Sequence, residues 1–227
     1  MGLLCASFTL VPSAETAKHN STIVAPSAVD EVSSLYSTIH LSDYGLSEDA
    51  FACAWKGYQK LLAQKRISRS DYLTICDFSQ SSKQKRFYII DVVNNKLLVN
   101  TYVAHGKNSG AEYATKFSNT AESLQSSLGF YTTSNTYIGA HGLSLRLNGV
   151  DPGYNDKAFE RSIVMHGAAY VNASRIKTGL GMGRSWGCPA VPQKESVNII
   201  TTIKNGTCLF IYHPSRNYLL NSKILND

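Results

Sequence analysis

The 227-residue sequence has no apolar run near the ~20 residues that a membrane-spanning helix needs, so we expect no membrane span. It also has no internal repeat and no low-complexity tract. Charged residues make up 17% of the chain and hydrophobic residues 43%, which is ordinary for a globular protein with a packed core. The length therefore predicts one medium-sized domain with a small appendage.

Basic residues form no long run in this chain. The densest group is KQKR (83–86), and aromatic residues do not alternate with it as they do in proteins that bind single-stranded nucleic acid. We therefore expect no nucleic-acid partner. The net charge of +6 instead favours attraction to anionic surfaces such as acidic wall polymers.

The cysteines lack the spacing of a zinc finger and are odd in number (Cys5, Cys53, Cys76, Cys188 and Cys208). Cys76 and Cys208 lie in apolar, strand-like runs, where cysteine usually serves as a small core residue. Cys188 stands in the loop sequence GRSWGCPA (183–190). Core packing does not explain a thiol at that position.

The N-terminal segment is apolar over residues 2–11 and then turns small and polar, as at the end of a secretory signal. We therefore predict export to the periplasm or cell envelope. We predict a signal segment at 1–17, an exposed linker at 18–44, an N-terminal helical segment packed on the core at 45–70, and a main domain at 71–227.

Two helices are expected from hydrophobic spacing. The first lies near 47–65, with Ser47 as its N-cap and a stripe facing the core (Phe51, Trp55, Tyr58 and Leu62). The second covers 192–204, opened by Pro192 and stopped by the Asn-Gly pair that follows.

Short strands account for much of the remaining chain, including a hairpin closed at Asn94-Asn95. The predicted strands lie within 72–78, 86–93, 96–103, 128–133, 143–147, 161–165 and 207–212. Many short strands with few helices predict a mainly β fold with a sandwich or barrel-like core.

His166 and Cys188 form a candidate catalytic pair. His166 follows the apolar run SIVM (162–165), so a strand would fix its ring, whereas Cys188 lies in a loop. A neighbouring imidazole favours the thiolate, which is the nucleophilic form of cysteine. The other His-Gly pairs, at His105 and His141, are weaker candidates because histidine often ends a strand in a structural role.

The surroundings of Cys188 fit a nucleophile. Gly187 has no side chain, so the backbone can approach a substrate carbonyl closely. The amides of Trp186, Gly187 and Cys188 are then candidates for an oxyanion hole, in which one donor is typically worth about 2.7–4 kcal/mol. Pro189 lacks an N–H and stiffens the end of the loop.

The segment IVMHG (163–167), followed by GRSWGC (183–188), resembles the His-Gly … Ser-x-Gly-Cys signature of YkuD-type L,D-transpeptidases. More specifically, the chain resembles the murein L,D-transpeptidase catalytic domain subfamily, over about residues 40–214. Further matching segments are GLS (45–47), LTICDFS (73–79), VAHGKNSG (103–110), FSN (117–119), QSSLG (125–129) and GAHGLSL (139–145).

The resemblance implies a β-rich YkuD-like catalytic domain that acts on peptidoglycan stem peptides without a cofactor or metal. Cys188 would attack the carbonyl of the third residue of a tetrapeptide stem and expel the terminal D-alanine. His166 would be the general base, and the backbone carbonyl of Gly167 would orient its ring. The acyl acceptor would be an amine of a second stem, a protein lysine, or water. The acceptor and the oligomeric state stay open.

Two positions depart from the better-studied branch of this family. Trp186 replaces a histidine, and Ala190 stands where Arg or Asn is usual. Arg184 is a candidate for the missing positive charge. The residues expected to bind substrate are His141, Arg184, Ser185, Asn119 and Ser127.

Three alternatives remain beside the transpeptidase. One is an L,D-carboxypeptidase that passes the acyl group to water, and another is a wall-binding module without activity. A third is a zinc protein whose ligands would be His105, His141, His166 and Cys188, although no His-x-x-x-His pair supports it.

Overall fold

The computed structural model describes residues 1–2, 28–179 and 181–227. Nearly all of the predicted signal segment, including Cys5, lies outside the described residues, as does the first part of the predicted linker. Within the described parts, no helix is long and apolar enough to cross a membrane.

The fold is built on one eight-stranded sheet with the order β3-β2-β1-β8-β4-β5-β6-β7. The strands are β1 Tyr72–Asp77, β2 Phe87–Asp91, β3 Lys96–Thr101, β4 Gly129–Gly139, β5 Gly142–Gly149, β6 Val164–Ala168, β7 Ala190–Pro192 and β8 Cys208–Tyr212. The helices are α1 Ala28–Thr38, α2 Glu48–Ala63, α3 Ala173–Lys177, α4 Ser196–Ile203, α5 Arg216–Asn221 and α6 Lys223–Asn226. Two 3₁₀ turns, Leu41–Tyr44 and Lys107–Ser109, complete the described elements.

The centre of the sheet is buried on both faces. All five residues of β8 are buried, as are all five of β2, so these strands read as continuous apolar runs instead of alternating patterns. Strand β8 is parallel to its neighbour β1 and antiparallel to its other neighbour, β4. In the latter pair, the rings of Phe130 and Phe210 stack with centroids 4.1 Å apart.

The sheet curls until its two edges nearly meet. The chain that leaves β3 pairs with β7 through Ala104, whose N–H donates to the Ala190 carbonyl at 2.8 Å, with the reverse bond at 3.4 Å. The predicted mainly β, barrel-like fold with a few helices is thus confirmed. The hairpin expected at Asn94-Asn95 is also present, between β2 and β3.

Helix α2 agrees with its predicted limits. Ser47 caps it by accepting the Ala50 N–H at 3.2 Å. The buried stripe contains Phe51 and Leu61, whereas Leu62 is 37% exposed, so the expectation of Leu62 in the core is wrong. Leu61 follows Ala54 by seven residues and Gly57 by four, so it lies at the centre of the buried face, whereas Leu62 lies about 100° further round the helix.

The structure differs from the predicted linker over 18–44 from residue 28 onward, because α1 and the first 3₁₀ turn occupy that stretch. Leu35 and Tyr36 of α1 pack against the core, and the Tyr36 hydroxyl donates to the Leu46 carbonyl at 2.6 Å. Small and polar residues dominate this segment, but its few apolar residues recur with the spacing of one helical face.

The predicted start of the last long helix is also wrong. Pro192 ends strand β7, where it lies opposite Ala168 of β6, and helix α4 begins only at Ser196. The phi angle of proline suits an edge strand as well as a first helical turn, so the residue alone does not distinguish them.

Candidate active site

His166 is held in the middle of β6 and is buried. Its Nδ1 lies 3.0 Å from the carbonyl oxygen of Gly167. Because a carbonyl only accepts, Nδ1 carries the proton and Nε2 keeps a free lone pair, as a general base requires. Burial lowers the pKa of His166, an effect that the Gly167 carbonyl partly opposes.

The thiol of Cys188 is half-buried beside the start of the same strand. Its Sγ lies 3.4 Å from the Val164 N–H and 3.7 Å from the Ser162 carbonyl oxygen. Burial raises the pKa of the Cys188 thiol, and the Val164 N–H and the Arg161 guanidinium act in the opposite direction. Among the described residues, no hydrogen bond joins this sulfur to His166.

The pairing of β6 with β7 brings the segments that carry His166 and Cys188 together. His166 lies opposite Ala190, two residues beyond Cys188. Cys188 itself lies in the bend that precedes β7. Its sulfur contacts the Val164 N–H, two residues before His166 in β6, so one strand places both the thiol and the imidazole.

Ser185 organises the loop before the cysteine. Its Oγ donates to the Cys188 carbonyl at 2.5 Å and accepts the Gly187 N–H at 3.1 Å. The predicted three-amide oxyanion hole is therefore incomplete, because the Gly187 amide is already bonded. The amides of Trp186 and Cys188 have no hydrogen-bond partner within the described ranges.

His141 lies at the exposed turn between β4 and β5. Its ring stacks on that of His166, with centroids 4.3 Å apart and an interplanar angle of 19°. The structure thus places His141 against His166, the predicted general base. Trp186, which is 78% exposed, stands on the surface next to the cysteine in sequence.

Three residues predicted to bind substrate form hydrogen bonds with protein groups. Arg184 is exposed and donates to the Gly110 carbonyl at 3.0 Å. Asn119 bonds to the carboxylate of Asp156 at 2.7 Å. Ser127 is buried and donates to a backbone carbonyl at 2.8 Å.

His105 is buried in a separate polar cluster. Its Nδ1 lies 2.7 Å from Nη2 of the fully buried Arg86, and its Nε2 lies 3.3 Å from the Gly110 carbonyl oxygen. Burial, with the charge of Arg86, lowers the pKa of His105 to about 4. Both ring nitrogens are thus engaged, and no group of three candidate metal ligands occurs in the described part of the chain.

Two groups near the thiol were absent from the sequence prediction, Arg161 and Tyr170. Burial raises the pKa of Tyr170 to about 12, and its proximity to Cys188 adds to the effect. Arg161 is the first residue of the predicted strand 161–165, and a lone cation just before an apolar run was the available signal.

Residues 42–212 match the family model of the L,D-transpeptidase catalytic domain. The chain belongs to this family. No curated protein matches it.

Solved structures of the same kind are similar only at low identity. An L,D-transpeptidase from Mycobacterium smegmatis is 12% identical, with a TM-score of 0.37, over 63% of this chain and 59% of the other. One from Xylanimonas cellulosilytica is 15% identical, with a TM-score of 0.35, over 80% of this chain and 93% of the other. The helical cell shape determining protein Pgp2 from Campylobacter jejuni is 15% identical, with a TM-score of 0.39, over 70% and 56%. This chain therefore spans less than two thirds of the first of these proteins.

Proposed function

We propose that this L,D-transpeptidase family member is an exported enzyme of the cell envelope that cross-links peptidoglycan stem peptides through a Cys188 acyl-enzyme. The observation that supports this most directly is the anchored imidazole of His166, with Nδ1 bonded to the Gly167 carbonyl at 3.0 Å, in the strand whose Val164 N–H contacts the Cys188 sulfur at 3.4 Å. This arrangement provides a base with a free Nε2 and a thiol held by the same strand.

In the first half-reaction, the Cys188 side chain rotates away from the Ser162 carbonyl, and His166 Nε2 takes the thiol proton. The thiolate attacks the carbonyl carbon of the third stem residue and forms a C–S bond. The amides of Trp186 and Cys188 stabilise the oxyanion. As the C–N bond to D-alanine breaks, the imidazolium returns the proton to the leaving amine.

In the second half-reaction, the amine of another stem peptide gives a proton to His166 and attacks the thioester. The C–S bond breaks, the thiolate recovers the proton, and a new amide remains. Water in place of the amine would give a shortened tripeptide, which is the carboxypeptidase alternative. The same site carries out both outcomes, because they differ only in the acceptor.

The test is incubation of the purified protein with tetrapeptide muropeptides, followed by mass spectrometry. We expect cross-linked dimers and released D-alanine, and a covalent adduct on the Cys188 peptide. Tripeptide without dimers would identify a hydrolase. A folded protein that forms neither product nor adduct, or a Cys188→Ala variant that still forms them, would contradict the proposal.

A further inference from the structure

Arg161 joins two loops beside the thiol. Its Nη1 donates to the Ser118 carbonyl at 2.6 Å and contacts the Ser127 hydroxyl. Its Nη2 donates to the Gln125 carbonyl at 2.7 Å and to the Ser123 hydroxyl at 3.1 Å. One guanidinium thus fixes four points of the segment 118–127.

That segment in turn contacts the nucleophile loop at Gly187. The Ser126 hydroxyl donates to the Gly187 carbonyl at 3.1 Å. A Cβ placed on Gly187 would lie 2.8 Å from the Gln125 carbonyl oxygen and 3.5 Å from Arg161 Nη2. The guanidinium is therefore packed against the residue that directly precedes Cys188.

The charge of Arg161 has no fixed counter-ion. In the described part of the chain, no carboxylate lies within 4.0 Å of it, and its four hydrogen-bond acceptors are all neutral. Two neighbouring groups can become anionic, Tyr131 and Cys188. Burial raises the pKa of Tyr131, so this phenol stays protonated, and the Cys188 thiolate is the anion that remains.

We propose that Arg161 is a positioning residue of the active site, which holds the segment 118–127 against the nucleophile loop and supplies the positive charge that stabilises the Cys188 thiolate. This role was expected of Arg184, which lies exposed and bonded to the Gly110 carbonyl. The inference rests on the proposed function in one respect only, that Cys188 is the nucleophile.

The electrostatic surroundings of Cys188 make this role specific. In the described part of the chain, the titratable groups that interact with the thiol are Arg161 and Tyr170. His166 lies two residues along β6 from the Val164 N–H that contacts the sulfur, and His141 stacks on His166. His166 and Tyr170 are both pushed by burial toward their neutral forms. Among the described residues, Arg161 is thus the cation that acts on the thiol at neutral pH, and it lowers the pKa that burial raises.

The test is the pH dependence of iodoacetamide alkylation at Cys188, measured by peptide mass spectrometry in the full chain. An opposite charge nearby typically lowers a pKa by 1–3 units, so we expect Arg161→Gln to reduce the alkylation rate at neutral pH about tenfold. Arg161→Lys, which keeps the charge, should stay within about threefold of the parent. Arg216→Gln, at an exposed position of α5, is the charge-matched control and should leave the profile unchanged.

A positioning role also predicts a second readout. Both Arg161 variants should lower kcat/KM on muropeptides, because lysine cannot replace the forked bonds to four acceptors. Equal alkylation profiles for the Gln and Lys variants would overturn the role of charge. If thermal melting shows that the Gln variant does not fold, a tenfold loss of the alkylation rate in the Lys variant would overturn the role of charge instead. Alkylation needs no peptidoglycan, so a protein without transpeptidase activity would still test Arg161.

Discussion

The imidazole of His141 stacks on that of His166, with centroids 4.3 Å apart and planes inclined by 19°. His141 lies at the exposed hairpin turn between β4 and β5, and His166 lies in β6, where it pairs with Ser144 of β5. The hairpin therefore covers the predicted base. This cover contributes to the burial that lowers the pKa of His166, and the charge of a protonated His141 acts in the same direction.

Replacing His141 with alanine should raise the pKa of His166 toward its ordinary value. Both the loss of cover and the loss of the neighbouring charge favour the imidazolium. Because His166 must be neutral to act as a base, the acidic limb of the kcat/KM profile should move to higher pH. NMR titration of the His166 ring gives the same quantity directly.

His141→Phe is the matched control, because it keeps an aromatic ring over His166 but cannot carry charge. We expect a smaller upward shift in the pKa of His166 than in His141→Ala. If the three proteins give the same acidic limb, the stack has no influence on the base.

Gly187→Ala should impair the active site with little effect on the rest of the fold. Gly187 has φ = 125°, and an added Cβ would lie 2.8 Å from the Gln125 carbonyl oxygen. The loop must shift, and such overpacking costs about 1–3 kcal/mol. We expect at least a tenfold loss of kcat/KM and slower alkylation of Cys188.

Gly153→Ala is the control for Gly187→Ala, because it introduces backbone strain without steric crowding. Gly153 has φ = 83°, but nothing lies within 4 Å of an added Cβ. The variant should lose a little stability in chemical denaturation and keep its activity. An active Gly187→Ala protein would show that the nucleophile loop tolerates displacement.

Local sequence patterns were sufficient for much of the fold. The hydrophobic spacing predicted α2, and the apolar runs predicted β1 and β8. The strand before His166 was predicted at 161–165, whereas β6 runs over Val164–Ala168 with His166 in its middle. The parallel pairing of β1 with β8 lay beyond local patterns, since 135 residues separate Leu73 from its partner Cys208 in β8.

The missing parts of the candidate site depend on contacts between distant segments. The partners of Arg161 lie 34 to 43 residues away in sequence, and no spacing rule connects them. The engaged amide of Gly187 depends on the rotamer of Ser185, which a residue name does not specify. The sequence therefore indicated the candidate pair His166 and Cys188, whereas the charge and the amides around them required the structure.

Ser222→Ala should destabilise the C-terminal helices. The Ser222 hydroxyl donates to the buried carboxylate of Asp151 at 2.7 Å and also accepts the Leu225 N–H at 3.3 Å, which caps α6. A hydrogen bond to a charged group is worth about 1.5–3 kcal/mol, so we expect a loss of that size in the free energy of unfolding from urea titration. Ser215→Ala is the control, because Ser215 precedes α5 without a side-chain cap bond. Equal losses for the two variants would contradict the role of Asp151.

His105 should make the fold sensitive to acid. Its pKa falls from 6.5 to about 4 on folding, so below pH 6.5 the unfolded chain binds a proton that the native state does not. Stability from this residue is therefore present above pH 6.5 and lost as the pH falls toward 4, by about 3 kcal/mol in total.

His105→Gln isolates this contribution, because glutamine can accept from Arg86 and donate to Gly110 without titrating. Urea titrations at pH 7 and pH 4 give the change in unfolding free energy for each protein. The parent should lose about 3 kcal/mol more than the variant over this range, since the remaining histidines titrate equally in both. Parallel losses would mean that His105 is protonated in the native state, which the charge of buried Arg86 at 2.7 Å opposes.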